Sequence, residues 1–166
     1  METRSVLFAD DGDIPNSRFP LIVYPRAVDP SDGAAAVAFE TLFARNGWGN
    51  SWRNGIFPFH HYHSNAHEVL GIAAGSAEVR FGGENGETVA VEAGDAVLIP
   101  AGVGHKRLSA SPDLLVVGAY PASQHADLMR EGAEDTDGIR RRIAGVVLPE
   151  NDPVGGPTGP TATLWV

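Results

Sequence analysis

Four of the six histidines of this chain fall between Gly55 and Gly75, in GIFPFHHYHSNAHEVLGIAAG, and an acidic residue directly follows the last of them. Neutral imidazole nitrogen and carboxylate oxygen together suit first-row divalent metals. If this stretch runs as a strand, His61 and His63 project from one face and His60 and Tyr62 from the other. Glu68 opens the next apolar run with the parity of Leu70 and Ile72, so a turn through Ser64, Asn65 and Ala66 returns its carboxylate toward the two imidazoles. A second stretch, GDAVLIPAGVGH from Gly94 to His105, ends an apolar run at Pro100, Gly102 and Gly104, a sharp corner that delivers His105. His67 replaces Glu68 as a ligand if the turn is one residue shorter, and otherwise lines the pocket. Arg107 shares the parity of His105, and on a continuing strand it either points into the mouth to meet an anionic substrate or pairs with a carboxylate at the rim. His60 is expected as a packed or surface residue, and His125 as exposed in the tail.

Three or four such ligands on one side leave coordination positions for water, oxygen or substrate around six-coordinate iron, manganese, nickel or cobalt, whereas four-coordinate tetrahedral zinc makes a closed, structural site. The donors do not choose among iron, manganese, nickel, cobalt and zinc, and the expectation is one divalent transition metal of unspecified identity. With no Cys in the chain, a disulfide framework, a thiolate site and a Cys nucleophile are all excluded. Ser51, Ser64 and Ser109 lack the surroundings of a serine nucleophile.

The elements that must position these groups are mainly strands. Leu21 to Tyr24, bounded by prolines, reads as an outer strand or arm. Pro30 to Asn46 has a helical pattern with Ser31 or Asp32 as cap and Val37, Phe39, Leu42 and Phe43 on an apolar side. WGNSWRNG reads as a loop or hairpin turn, and Trp48 and Trp52 as residues packing the helix onto the sheet or lining a pocket. Glu68 to Ala74, Ala77 to Phe81, Thr88 to Val91, Ala96 to Ile99, His105 to Leu108 and Leu114 to Tyr120 are short strands of the kind that build a sandwich or barrel. GGENG, Gly82 to Gly86, lies between two strands without phosphate-loop spacing, so a hairpin turn is expected. Two weaker helical stretches, Ser123 to Glu131 and Thr136 to Ala144, precede a Pro- and Gly-rich tail lying over the barrel.

These residues resemble the cupins. Gly55, His61, His63, Glu68 and Gly75 have the spacing of the first cupin motif, and Gly94, Pro100, Gly102 and His105 that of the second, with Ser109 where the family usually has Asn. Beyond the motifs, IPNSRFPLIVY, WRNGIFPFHHYHSNAHEVLGIAAG, AGVGHKR and VVGAYP are similar to the small YjlB-like bacterial cupins. The resemblance implies an all-β fold, a double-stranded β-helix (the cupin jelly-roll barrel), here with an N-terminal helix and short C-terminal helices. It implies a metal in the barrel mouth on His61, His63, Glu68 and His105; the parity of Arg107 and the position of His67 beside Glu68 add these two as candidate substrate-binding residues. Homodimers are common among such chains. One domain is expected over residues 1–166, with an arm and helix over 1–54, the motif-bearing core over 55–120 and a packed tail over 121–166.

Composition narrows the function further. A formal charge of −9 disfavours nucleic acid and anionic membrane surfaces, since both need a basic face, and Arg140 to Arg142 is the one basic run. The acidic N-terminus does not read as a signal peptide, and no stretch reaches the roughly 18 apolar residues of a membrane span, so the cytoplasm is the expected compartment. The expected function is that of a metal-dependent enzyme of oxygenase or isomerase type acting on a small polar molecule. The alternative is a non-catalytic cupin that binds or senses a small ligand around a structural metal.

Overall fold

The computed structural model of the protein describes residues 2–166. Its strands are β1 (Arg4–Val6), β2 (Leu21–Tyr24), β3 (Trp48–Asn54), β4 (His61–Tyr62), β5 (Glu68–Ala74), β6 (Ser76–Phe81), β7 (Glu87–Glu92), β8 (Ala96–Ile99), β9 (His105–Ala110), β10 (Leu115–Pro121) and β11 (Met129–Arg130). Helix α1 spans Ala35–Arg45, α2 Thr136–Ala144 and α3 Thr161–Leu164. The strands form two antiparallel sheets, one ordered β1-β2-β8-β5-β10-β3 and the other β11-β4-β9-β6-β7. This is the mainly β jelly-roll that the resemblance implied, and it agrees with the sandwich or barrel expected from the short strands.

The side-chain pattern of each strand follows from what covers it. In the six-stranded sheet, Leu21, Val23, Leu70, Ile72, Val97, Ile99 and Val116 face the interior between the sheets. Ile22, Tyr24, Val69, Leu98, Val117 and Ala119 pack on the other side with Phe39 and Phe43 of α1, Trp48 and Trp165. Covered on both faces, β2 (LIVY) and β8 (AVLI) are buried at every residue and show no polar alternation. In the five-stranded sheet, β7 alternates buried Val89 and Val91 with more exposed neighbours, because one face meets solvent. Close approach of α1 requires Gly71, where a Cβ would lie 2.5 Å from Cγ of Phe39.

Four local expectations are corrected. WGNSWRNG is not a loop but holds strand β3, whose two ends pair with β10. Its Gly and Asn residues mark an irregularity in the pairing, and Asn50 adopts φ +51. Asp32 accepts the Ala34 N–H at 2.9 Å, forming a turn before α1 rather than a cap on it, and Ala34 at the cap position has no side-chain cap. Ser123 to Glu131 is not a helix; it holds β11, which pairs with β4, and Ser123 sits at φ +67, off the helical region. Finally, β2 is no free arm, since β1 and β8 occupy its two edges. Of the closing apolar residues Trp165 is buried, but Val166 is 83% exposed.

The tail is nonetheless fixed. Buried Asp152 accepts the Tyr24 hydroxyl at 2.7 Å and backbone N–H groups of Val154, Gly155 and Thr161. Trp165 stacks on Phe19 and donates its indole N–H to the Pro20 carbonyl. Trp48 likewise donates to Asn151. GGENG joins β6 to β7 as a turn.

Candidate metal centre

Strand pairing brings the motif residues together. His61 on β4 lies directly opposite His105 on β9, with ring centroids 3.9 Å apart. The corner before His105 turns through a Val103 N–H to Pro100 carbonyl bond, and the Gly102 N–H donates to the His63 carbonyl at 2.8 Å. That bond ties the two motif stretches to each other. One ring nitrogen from each of His61, His63 and His105 falls within 4.8 Å of the others. Glu68 enters from the other sheet, on β5 beside Ile99 of β8. Its Oε1 is 3.3 Å from Nε2 of His63 and 3.4 Å from Nε2 of His105.

The hydrogen bonds decide which nitrogens face inward. Nδ1 of His61 lies 2.9 Å from the Phe59 carbonyl, Nδ1 of His105 lies 3.2 Å from the Val103 carbonyl, and Nδ1 of His63 meets the Asp127 carbonyl. A carbonyl only accepts, so these partners assign the proton to Nδ1 and leave the lone pair on Nε2. Two lone pairs then face an ionised carboxylate at hydrogen-bond range. Such an arrangement repels unless a proton or a cation sits among the groups, and the donor set therefore fits a divalent ion.

The titration behaviour has the same origin. Burial, then the neighbouring His105, pulls His61 down to about 3. Burial also lowers His63, but the Glu68 carboxylate and the Asp127 carbonyl outweigh it and leave His63 above its ordinary value. Burial would raise Glu68; His63 and His105 hold it below the usual carboxylate range instead. Glu68 and its two imidazole neighbours thus favour positive charge between them, whereas burial keeps His61 neutral.

The cluster opens into a cavity of about 380 Å³ lined also by Trp52, Asn54, Phe57, Leu70, Arg107 and Tyr120. Arg107, partly buried on β9, donates its backbone N–H to the Phe57 carbonyl, and among the described residues no carboxylate pairs with its guanidinium within 4.0 Å. His67 is directed elsewhere. Its Nδ1 accepts the Ala101 N–H at 2.9 Å, its ring lies 4.8 Å from that of Trp165, and burial lowers it to about 4. His60 is buried with Nε2 at 2.8 Å from Glu84, and His125 is exposed beside Asn50.

Two contributors carried no signal that set them apart in the sequence. Tyr120 shares the parity of Val116 on β10, but apolar residues line both faces of that strand, so parity alone assigns neither face to the cavity. Asp127 comes from a tail segment with no periodicity. Its side chain accepts the Ser64 N–H at 2.7 Å and meets the Ser64 hydroxyl, and Arg142 donates to that hydroxyl at 2.8 Å.

Comparison with known proteins shows the family. Residues 53–117 match the family described as Cupin domain. Over 166 residues the chain is 45% identical to the uncharacterized protein YjlB of Bacillus subtilis strain 168, covering 99% of this chain and 98% of that one. The chain belongs to the YjlB-like cupins. Solved structures similar to this cupin include acireductone dioxygenase from Bacillus anthracis with cadmium ion in its active centre, at 17% identity and TM-score 0.41 over 58% of this chain and 67% of that one. Another is the TDP-fucose-3,4-ketoisomerase WlaRA from Campylobacter jejuni, at 11% identity and TM-score 0.42 over 85% of this chain and 95% of that one. Likeness at this level concerns the fold and assigns no chemistry to this cupin.

Proposed function

We propose that this cupin is a metal-dependent enzyme, of oxygenase or isomerase type, acting on a small anionic molecule held between the ion and Arg107. The observation that carries the reading is the convergence in one cavity of about 380 Å³ of three Nε2 lone pairs with Arg107, whose guanidinium has no carboxylate partner among the described residues. That volume is near the lower end of the roughly 300–1,000 Å³ range of small-molecule sites. His61, His63, His105 and Glu68 would hold the ion. Bound there, a divalent metal supplies Lewis-acid polarisation of a ligand oxygen, and iron, manganese, nickel, cobalt and zinc all suit these donors.

The chain's own residues do the rest. The backbone carbonyls of Phe59, Val103 and Asp127 fix the three imidazoles in one tautomer. Arg107 binds a substrate carboxylate by charged hydrogen bonds and so orients it before reaction. Because the whole chain carries −9, attraction of an anion is local to this guanidinium.

The same reading takes the chain as one domain, supported by the packing of α1 and the tail against the face of the sheet to which β2 belongs. It takes the homodimer in the cytoplasm as the working form, on the resemblance to small cupins. No helix of the described residues is long and apolar enough to cross a membrane. Light scattering that finds a monomer at tens of micromolar removes the dimer.

The deciding experiment restores each of the five metals to stripped protein and measures oxygen uptake and turnover on small acids, sugars and phenols, with Arg107→Leu alongside. The variant should load metal normally and lose turnover or ligand affinity by about 1.5–3 kcal/mol, the worth of a charged hydrogen bond. Absence of turnover with every metal, together with a co-purifying metabolite that Arg107→Leu binds unchanged, replaces the enzyme with a binding module.

A further inference from the structure

The cavity beside the histidines is built with flat apolar surfaces held in place before any ligand arrives. Trp52, Ile56, Phe57, Pro58 and Leu70 all contribute to its lining. Trp52 on β3 is opposite Gly118 of β10, and a Cβ at Gly118 would stand 2.1 Å from Cε2 and 2.2 Å from Cζ2 of the indole. The indole thus lies directly on the backbone. Its polar edge is fixed as well, since Nε1–H donates to the Tyr120 hydroxyl at 2.9 Å. An aromatic ring restrained by both backbone and hydrogen bond loses little entropy when a ligand stacks on it.

Phe57 is held by different means. Its ring is stacked on Phe59 at 5.0 Å with planes 16° apart, and the Arg130 guanidinium lies 3.9 Å from the Phe59 centroid. Although it is fixed in this stack, Phe57 remains 50% exposed while lining the cavity. A large apolar ring kept exposed at the mouth of a polar site gains free energy when a ligand covers it. Beside it stands Arg107, whose backbone N–H is bonded to the Phe57 carbonyl at 3.0 Å and whose guanidinium has no acidic partner among the described residues. A fixed ring surface next to a free cation recognises a flat hydrophobic body carrying one negative charge.

We infer that the molecule taken by this cavity is a planar aromatic carboxylic acid of about one ring, its ring against Trp52 and Phe57 and its carboxylate on Arg107. The inference rests on the reading of the cavity as an anion-binding substrate site, and adds to it the shape and polarity of the anion's body.

Titration calorimetry on the zinc-loaded protein with benzoate, cyclohexanecarboxylate, acetate and benzyl alcohol separates these features. Benzoate should bind about tenfold tighter than cyclohexanecarboxylate, which has the same charge and ring size but is not flat, and tighter still than acetate or benzyl alcohol. Phe57→Ala should weaken benzoate about fivefold or more while zinc stoichiometry and acetate affinity stay as they are. Equal affinity for benzoate and cyclohexanecarboxylate, or benzoate binding unaltered by Phe57→Ala, overturns the aromatic preference and leaves the anion site standing. Failure of every probe to bind overturns it too. Benzoate binding unaltered in Arg107→Leu contradicts the underlying anion reading instead.

Discussion

The carbonyl of Asp127 meets Nδ1 of His63 across 64 positions of chain, so one of the three clustered imidazoles takes its orientation from the C-terminal segment. Asp127 is itself held at both ends. Its carboxylate is bonded to Ser64, and its backbone N–H donates to Asn65 Oδ1 at 2.9 Å. Arg142 of α2 reaches the same Ser64 hydroxyl, so helix, tail and the loop after His63 meet in one polar knot.

Asp127→Ala releases the carbonyl from that knot. Outer partners that orient ligating histidines are worth about 10–100-fold in metal affinity. Chelator competition should therefore show weaker binding by about that factor, with circular dichroism unchanged. An affinity equal to that of the parent protein removes Asp127 from the site.

His63→Ala and His105→Ala remove lone pairs from the cluster itself. Elemental analysis should find metal content greatly reduced in both while the fold persists, and full occupancy in either variant contradicts the assignment. Glu68→Gln tests the carboxylate by taking away its negative charge but not its shape, and metal should bind more weakly. Acid should release the ion from the parent protein, because Nε2 must be free of a proton to bind it.

How much of this was readable depended on the period of each element. Spacing within the two motifs placed His61, His63, Glu68 and His105, and the structure brings all of these into one cavity. Arg107 lines it as well, one alternation beyond His105. Parity was a poorer guide to His63, since β4 ends at Tyr62 and a hydrogen bond, not a strand, orients the ring beyond it. His67 and Glu68, adjacent in sequence, go to different places because successive residues on an extended chain point to opposite sides.

Misreadings came where tertiary contacts override local propensity. Gly49 and Asn54 are poor strand formers, yet β10 supplies each with a partner and pairing prevails on both sides of the irregularity at Asn50. Ser123 to Glu131 looked helical from composition, while the actual segment spends its polar groups on Asn65, Ser64 and His67, where the Gln124 side chain accepts a backbone N–H. Such long-range partners leave no periodic trace in a sequence.

Tyr24→Phe probes how the tail is held. It removes the hydroxyl that donates to buried Asp152 at 2.7 Å and leaves the carboxylate with its backbone donors. A lost hydrogen bond to a buried charged group costs about 1–3 kcal/mol, and urea unfolding should register that decrease. Unchanged stability indicates that Asp152 is held sufficiently by backbone alone.

His67 gives a pH dependence separable from the metal cluster. Its Nδ1 accepts the Ala101 N–H, so a second proton would set two N–H groups against each other, and burial already pulls the ring down to about 4. The folded state thus keeps His67 neutral below the ordinary histidine value of about 6.5, where the unfolded chain takes up a proton. As pH falls from about 6.5 toward 4 the unfolded state binds more protons, and stability is lost, by on the order of 3 kcal/mol from this residue. Urea unfolding of metal-stripped protein at pH 7 and pH 4.5 should show a smaller acid loss in His67→Gln, which retains an acceptor oxygen but does not titrate. Equal losses in the two proteins mean that His67 is not the group responsible.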